Sequence, residues 1–182
     1  MKTLIFSTAA LSLVSILGFG IQGAWSDSDH MKRLSTGVAP VTNPLYQEEC
    51  GSCHLAYSPG LLPAASWQGI MSGLDDHFGD NAELDSDALQ QLSNYLASNS
   101  AEMSSYRRSQ AIMGSLRNSR TPPMRITKLP YFVHEHREIP KRIIELPDVG
   151  SLGQCNACHR YAEQGSFSEN DIWIKGIGHW DD

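Results

Sequence analysis

The chain has 182 residues, enough for one ordinary domain or two small ones, and 41% of them are hydrophobic, which suits a globular protein better than a bundle of membrane helices. With 20 acidic and 14 basic residues it carries a formal charge of −6, a balance that argues against nucleic acid as a partner. Composition names no activity.

Lys2 opens the chain with a positive charge, Leu4 to Gly20 is apolar or small and uncharged, and small residues follow at Gly20, Gly23 and Ala24. Residues 1–24 therefore read as a secretory signal peptide, which predicts an exported, periplasmic protein. The apolar run is almost long enough to act instead as an uncleaved N-terminal anchor. Removal of the segment would leave 20 acidic and 13 basic residues, since Lys2 goes with it.

Residues 25–43 form a polar linker. Pro44 can then open a short helix through Leu45, Tyr46 and Glu49 that runs into Cys50-Gly51-Ser52-Cys53-His54. Pro59 and Gly60 interrupt the chain. From Pro63, the residues Trp67, Ile70, Met71, Leu74 and Phe78 recur at helical spacing and place His77 on the buried face of the same helix. A third helix is expected from Asp85 or Asp87, with Leu89, Leu92, Tyr95 and Leu96 on one side. The fold class predicted for residues 44–102 is thus a small, mainly α unit built around one CxxCH motif.

Charge switches sign next. Leu34 to Tyr106 holds nine acidic residues and no lysine or arginine, whereas Met103 to Val133 has six basic residues and no carboxylate. Residues 103–130 read as a basic segment at a domain boundary or crossing between domains. Pro122, Pro123, Pro130, Pro140 and Pro147 predict extended or turned chain, with His134 and His136 alternating onto one side of a strand. A short helix around Ser151 to Ala162 is expected to carry Cys155-Asn156-Ala157-Cys158-His159, and loops or short strands complete a second unit over residues 131–182.

All four cysteines fall in two CxxCH motifs, and composition predicts even one such motif by chance in only about 0.003 of chains. CxxCH is the attachment signature of c-type haem: two thiols on adjacent turns reach two vinyl groups of one porphyrin edge, and the next histidine turns under the iron. A disulfide pair or a four-cysteine zinc site would leave His54 and His159 without a purpose. Two covalently bound haem c groups are expected.

The sixth iron ligand decides what such a centre does, because methionine raises the potential, histidine lowers it, and an open position admits ligands. For the first haem the candidates are His77 and Met71. For the second they are His134 or His136, with Met124 and His179 as weaker alternatives, and the residue pattern alone does not choose between the two histidines. Arg107, Arg108 and Arg125 are candidate partners for haem propionates, against the plainer reading that they neutralise the acidic unit or face water.

The sequence resembles the bacterial dihaem cytochrome c family associated with the sphaeroides haem protein. The residues that carry the resemblance are Asp76-His77-Phe78-Gly79, then Pro123-Met124-Arg125-Ile126-Thr127, then His136-Arg137-Glu138-Ile139-Pro140, and Cys155-Asn156-Ala157-Cys158-His159 with Gly165-Ser166-Phe167 behind it. The resemblance implies a class I cytochrome c-like N-terminal haem domain, a smaller irregular C-terminal haem domain, and bis-histidine irons completed by His77 and His136. The family pattern commonly has a basic residue where this chain has His134. It further implies an electron carrier, not an enzyme with a small-molecule substrate, serving redox partner proteins such as a sphaeroides haem protein-type cytochrome or a membrane cytochrome. The competing expectation is a dihaem peroxidase or reductase, or a haem-based ligand sensor, with one open iron.

Overall fold

A computed structural model describes residues 37–180, so the predicted signal peptide and most of the polar linker lie outside the described residues. Helix α1, Pro44–Gly51, begins as expected: Pro44 occupies a first-turn position that needs no N–H, and the Asn43 side chain accepts from the Tyr46 N–H at 3.0 Å. The helix stops one residue short of Ser52, so Cys50 sits in its last turn while Cys53 and His54 lie on the turn beyond.

Helix α2, Ala64–Met71, buries Trp67, Ile70 and Met71. It does not reach His77. Gly73 leaves helical geometry (φ −134°, ψ 38°), a single 3-10 turn covers Leu74–Asp76, and His77 follows in a short bridge with Asp80. The predicted continuous buried face is therefore broken: His77 is half-buried on a loop, and Phe78 is 43% exposed. Helix α3, Ser86–Ser98, matches the expectation, with Asp85 as its N-cap accepting from Asp87 and Ala88 N–H groups at 2.9 Å. Its Leu92 and Leu96 are fully buried against α2.

The basic segment contains a helix that the sequence reading lacked: α4, Arg107–Ser115, which buries Ser109 and Ile112. Ile112, Leu116, Leu129 and Phe132 join Val38, Tyr46, Trp67 and Leu92 in one hydrophobic core. Helix α5, Pro130–Glu135, replaces the predicted strand. Pro130 starts it, and the Val133 and His136 N–H groups donate to the Leu129 and Phe132 carbonyls at 3.0 and 3.1 Å. Residues two apart on a helix point to different faces. His134 is thus exposed beside Arg137, while His136, at the C-cap, is half-buried.

After a one-turn helix α6, Lys141–Ile144, the expected helix over Ser151–Ala162 is absent. Only 3-10 turns form, at Cys155–Ala157 and Ala162–Gln164. The reason is a competing partner: His159 bridges to Ile172, and the Cys158 carbonyl accepts from the Trp173 N–H at 2.8 Å, which takes this backbone out of a helix. Strands β1, Trp173–Ile174, and β2, Gly178–His179, close an antiparallel hairpin over a small second core of Ile143, Val149 and Ile174. Among the described residues no helix is long and apolar enough to cross a membrane.

Candidate functional site

Two histidine pairs stand out. The rings of His54 and His77 have centres 6.3 Å apart, and those of His136 and His159 are 6.2 Å apart. An imidazole nitrogen lies about 2 Å from a metal it ligates and about 1.1 Å from its own ring centre, so two imidazoles on opposite sides of one metal have centres about 6.2 Å apart. Both gaps fit one iron between two imidazoles. Within each pair, one histidine ends a CxxCH motif.

The first pair is carried on loops. His54 Nδ1 meets the Leu55 carbonyl oxygen at 2.8 Å, and the Tyr57 ring stacks on it at 4.8 Å. His77 sits in a tight loop in which its N–H donates to the Asp80 carbonyl at 2.7 Å and the Gly79 N–H donates to the Asp76 carboxylate at 2.9 Å. Phe78, next along, has φ 61°, a left-handed conformation that a side chain adopts only at a cost. Its ring lies 3.9 Å under the Arg125 guanidinium carbon. Partial burial, then His54 and Arg125, hold the His77 pKa below its usual value, which keeps the imidazole in the neutral form that ligates metals.

The second pair is embedded. His136 stacks on Phe132 at 3.8 Å and 11°, and its Nδ1 meets the Phe132 carbonyl oxygen at 2.9 Å, which turns Nε2 outward. His159 packs edge-on against Phe167, and burial, His136 and Arg108 push its pKa down to about 4. His159 Nδ1 is buried with no hydrogen-bond partner. Both rings line a mainly apolar cavity of about 100 Å³ together with Cys155 and Cys158, and residues from α4 and its neighbours, Arg108, Ile112 and Leu129, form another wall. Arg108 donates to the Tyr131 hydroxyl at 2.8 Å and to the Phe167 carbonyl at 3.0 Å, and stands 3.9 Å from Glu135.

The pattern of the dihaem cytochrome c family matches residues 46–167, a span holding both CxxCH motifs and all four paired histidines. The chain belongs to the dihaem cytochrome c family. Solved structures agree. A dihaem cytochrome type c from Shewanella baltica is 39% identical with a TM-score of 0.64, over 76% of this chain and 98% of that one. A dihaem cytochrome c from Rhodobacter sphaeroides is 39% identical with a TM-score of 0.62, over 71% of this chain and all of that one. A second Rhodobacter sphaeroides structure, of the protein called DHC, is 37% identical with a TM-score of 0.56, over 70% of this chain and 99% of that one. No curated protein sequence matches this one.

Two covalently bound haem c groups thus belong to this cytochrome, and its own residues suit them. No disulfide joins any two of the four cysteines. Burial raises the pKa of Cys50 and of Cys155 to about 11 and that of Cys158 in the same direction. Such sites favour a neutral thioether over the thiolates a zinc centre needs. Among the described residues no group of three or more His, Cys, Asp or Glu converges on a metal-ion site.

The other candidates are not brought to the histidine pairs. Met71 is buried in the main core, Met124 is 47% exposed beside Gly69, and His179 lies on the hairpin with Nε2 3.3 Å from the Asn170 carbonyl oxygen. Of the three arginines, Arg107 is exposed, Arg125 covers Phe78, and Arg108 lines the second cavity. Phe167 entered the sequence reading only as part of the resemblance, and neither Tyr57 nor Phe132 was singled out; the rings of Tyr57, Phe132 and Phe167 touch His54, His136 and His159. Their signal, aromatic residues three after His54, four before His136 and eight after His159, is legible only once the histidine pairs are known.

Proposed function

We propose that this cytochrome is a periplasmic carrier of single electrons with two bis-histidine, low-spin haems. Cys50 and Cys53 would hold one haem, with His54 and His77 as the histidines for its iron, and Cys155 and Cys158 would hold the other, with His159 and His136. The observation that carries this reading is the pair of ring separations, 6.3 and 6.2 Å, each fitted to one ligated iron. With a histidine from this chain on each side, a bound haem would supply outer-sphere electron exchange rather than a site for substrate. Histidine on both sides holds the potentials below those of histidine–methionine centres.

Export is supported by the character of residues 1–24, and redox partner proteins follow from the carrier role, a sphaeroides haem protein-type cytochrome or a membrane cytochrome among them. The carboxylates of residues 34–106, with no basic residue among them, favour a partner with a basic docking patch. Electron-transfer rates that fall with added salt are the expected result, and salt-independent rates would remove that partner class.

The deciding experiment is optical and paramagnetic-resonance spectroscopy of the haem-loaded protein. Two low-spin irons, no near-infrared methionine-to-iron band, and no carbon monoxide binding on reduction are expected. His77→Ala and His136→Ala should each open one iron to carbon monoxide, and His134→Ala should open neither. Carbon monoxide binding or peroxide turnover by the wild type would favour the enzyme or sensor reading instead.

A further inference from the structure

The two CxxCH segments face each other across open, polar space. A cleft of about 430 Å³ is lined on one side by Cys53, His54 and Ala56 and on the other by Gln154, Asn156 and Glu163. One residue crosses at the edge of this gap. The Tyr57 ring stacks on the His54 imidazole, 4.8 Å between centres at an interplanar angle of 29°. Its hydroxyl donates to the Gly153 carbonyl at 2.7 Å, across 96 positions of sequence and two residues before Cys155.

We propose that Tyr57 is the electronic bridge between the two haem sites, coupling the ligand side of the first to the attachment side of the second through its hydroxyl hydrogen bond. The inference rests on the ligand assignment above. The path runs from the His54 imidazole through the stacked phenol ring to the Tyr57 hydroxyl, the Gly153 carbonyl, and along two residues of main chain to Cys155. It contains one ring contact and one short hydrogen bond, and the remainder is covalent. The Tyr57 carbonyl also accepts from the Tyr46 hydroxyl at 2.8 Å, and Tyr46 is 2% exposed in the main core, so the bridge is anchored on a rigid wall.

The electron balance is simple. The bound haems would supply a one-electron exchange, in which one is oxidised as the other is reduced and no bond is made or broken. Tyr57 is neither oxidised nor deprotonated: its proton is held against a carbonyl, which is no base, and low-potential irons cannot remove an electron from a neutral phenol. It acts as a conduit.

The test uses the intact two-haem protein and Tyr57→Phe, which retains the ring and deletes only the donor. Half-reduced samples would give the intramolecular exchange rate from haem methyl proton resonances. Pulsed paramagnetic resonance on the oxidised protein would give the iron–iron distance. Tyr57→Phe should slow exchange several-fold with both potentials and the distance unchanged, and Tyr57→Leu should slow it further. An unchanged rate in Tyr57→Phe would overturn the proposal, as would a loss of rate matched by a longer iron–iron distance, which would make Tyr57 a mere spacer. If the wild type shows an open iron, the ligand assignment fails first; two low-spin irons with an indifferent Tyr57→Phe sink the bridge alone.

Discussion

His77 and His136 face their partners at nearly the same separation, yet their surroundings are opposite. His77 is held by a five-residue loop, 76–80, whose own backbone hydrogen bonds shape it and whose Phe78 is strained and exposed. His136 caps a helix, stacks on a core aromatic, and shares a cavity with residues from three separate stretches of chain. One of these histidines belongs to a local device and the other to the packing of the whole molecule. Changes near the first should stay local, and changes near the second should spread into stability.

The strongest test of that contrast pairs Phe132→Ala with Phe78→Ala. Phe132 is 8% exposed in the main core, so its loss should cost about 3–5 kcal/mol and loosen the second iron's ligand at once, seen as a lower midpoint of denaturation and partial high-spin character. Phe78→Ala should cost no more than about 1 kcal/mol, chiefly the cation–π contact with Arg125. Equal losses would erase the distinction. A second test moves charge. Arg108 lines only the second cavity, and its positive charge favours the reduced iron, so Arg108→Met should lower one of two potentials by tens of millivolts, where 59 mV is tenfold in a one-electron equilibrium. A shift shared by both haems would refute a local effect.

Ring orientation sharpens the same contrast. The imidazole planes are 22° apart at the first pair and 77° at the second. Near-parallel planes split the iron π-type d orbitals and near-perpendicular planes leave them close in energy, so the oxidised protein should show two resolved low-spin paramagnetic-resonance signals. A single signal type would mean that the planes match. A smaller effect concerns pH. Tyr57 has its pKa raised from 10 to about 12, so its folded form favours the protonated phenol. The stability this contributes is complete below pH 10 and lost as pH rises toward 12, and Tyr57→Phe should flatten the denaturation midpoint over that window. The smallest effect is expected from His134→Ala, within about 0.5 kcal/mol, since His134 is exposed beside Arg137.

The same asymmetry explains what was legible in the sequence. The CxxCH motifs, the Pro44 and Asp85 helix starts and the Leu92–Leu96 face are local signals, and the structure keeps them. The face through His77 fails because Gly73 ends the helix, a break that spacing alone overrides. The strand through His134 and His136 fails because Pro130 can open a helix as well as an extended run. The helix at the second motif fails because the Cys158 carbonyl is claimed by the N–H of Trp173, 15 residues beyond it, a pairing no local pattern encodes.

Gly37 and Gly165 flank the place where the Val38 N–H donates to the Gly165 carbonyl at 2.9 Å; a side chain at Gly37 would run into the Gly165 carbonyl, and one at Gly165 into the Val38 carbonyl. Gly165 also has φ +78°. This latch joins the beginning of the described chain to a loop six residues past the second haem motif. A chain synthesised from its N-terminus must carry the Val38 N–H without this partner until Gly165 emerges. Maturation would therefore end with one late zipping event, and haem attachment at Cys155 and Cys158 has an open window before it. A methyl group at Gly37 should consequently leave both haem attachments intact and lower the midpoint of denaturation.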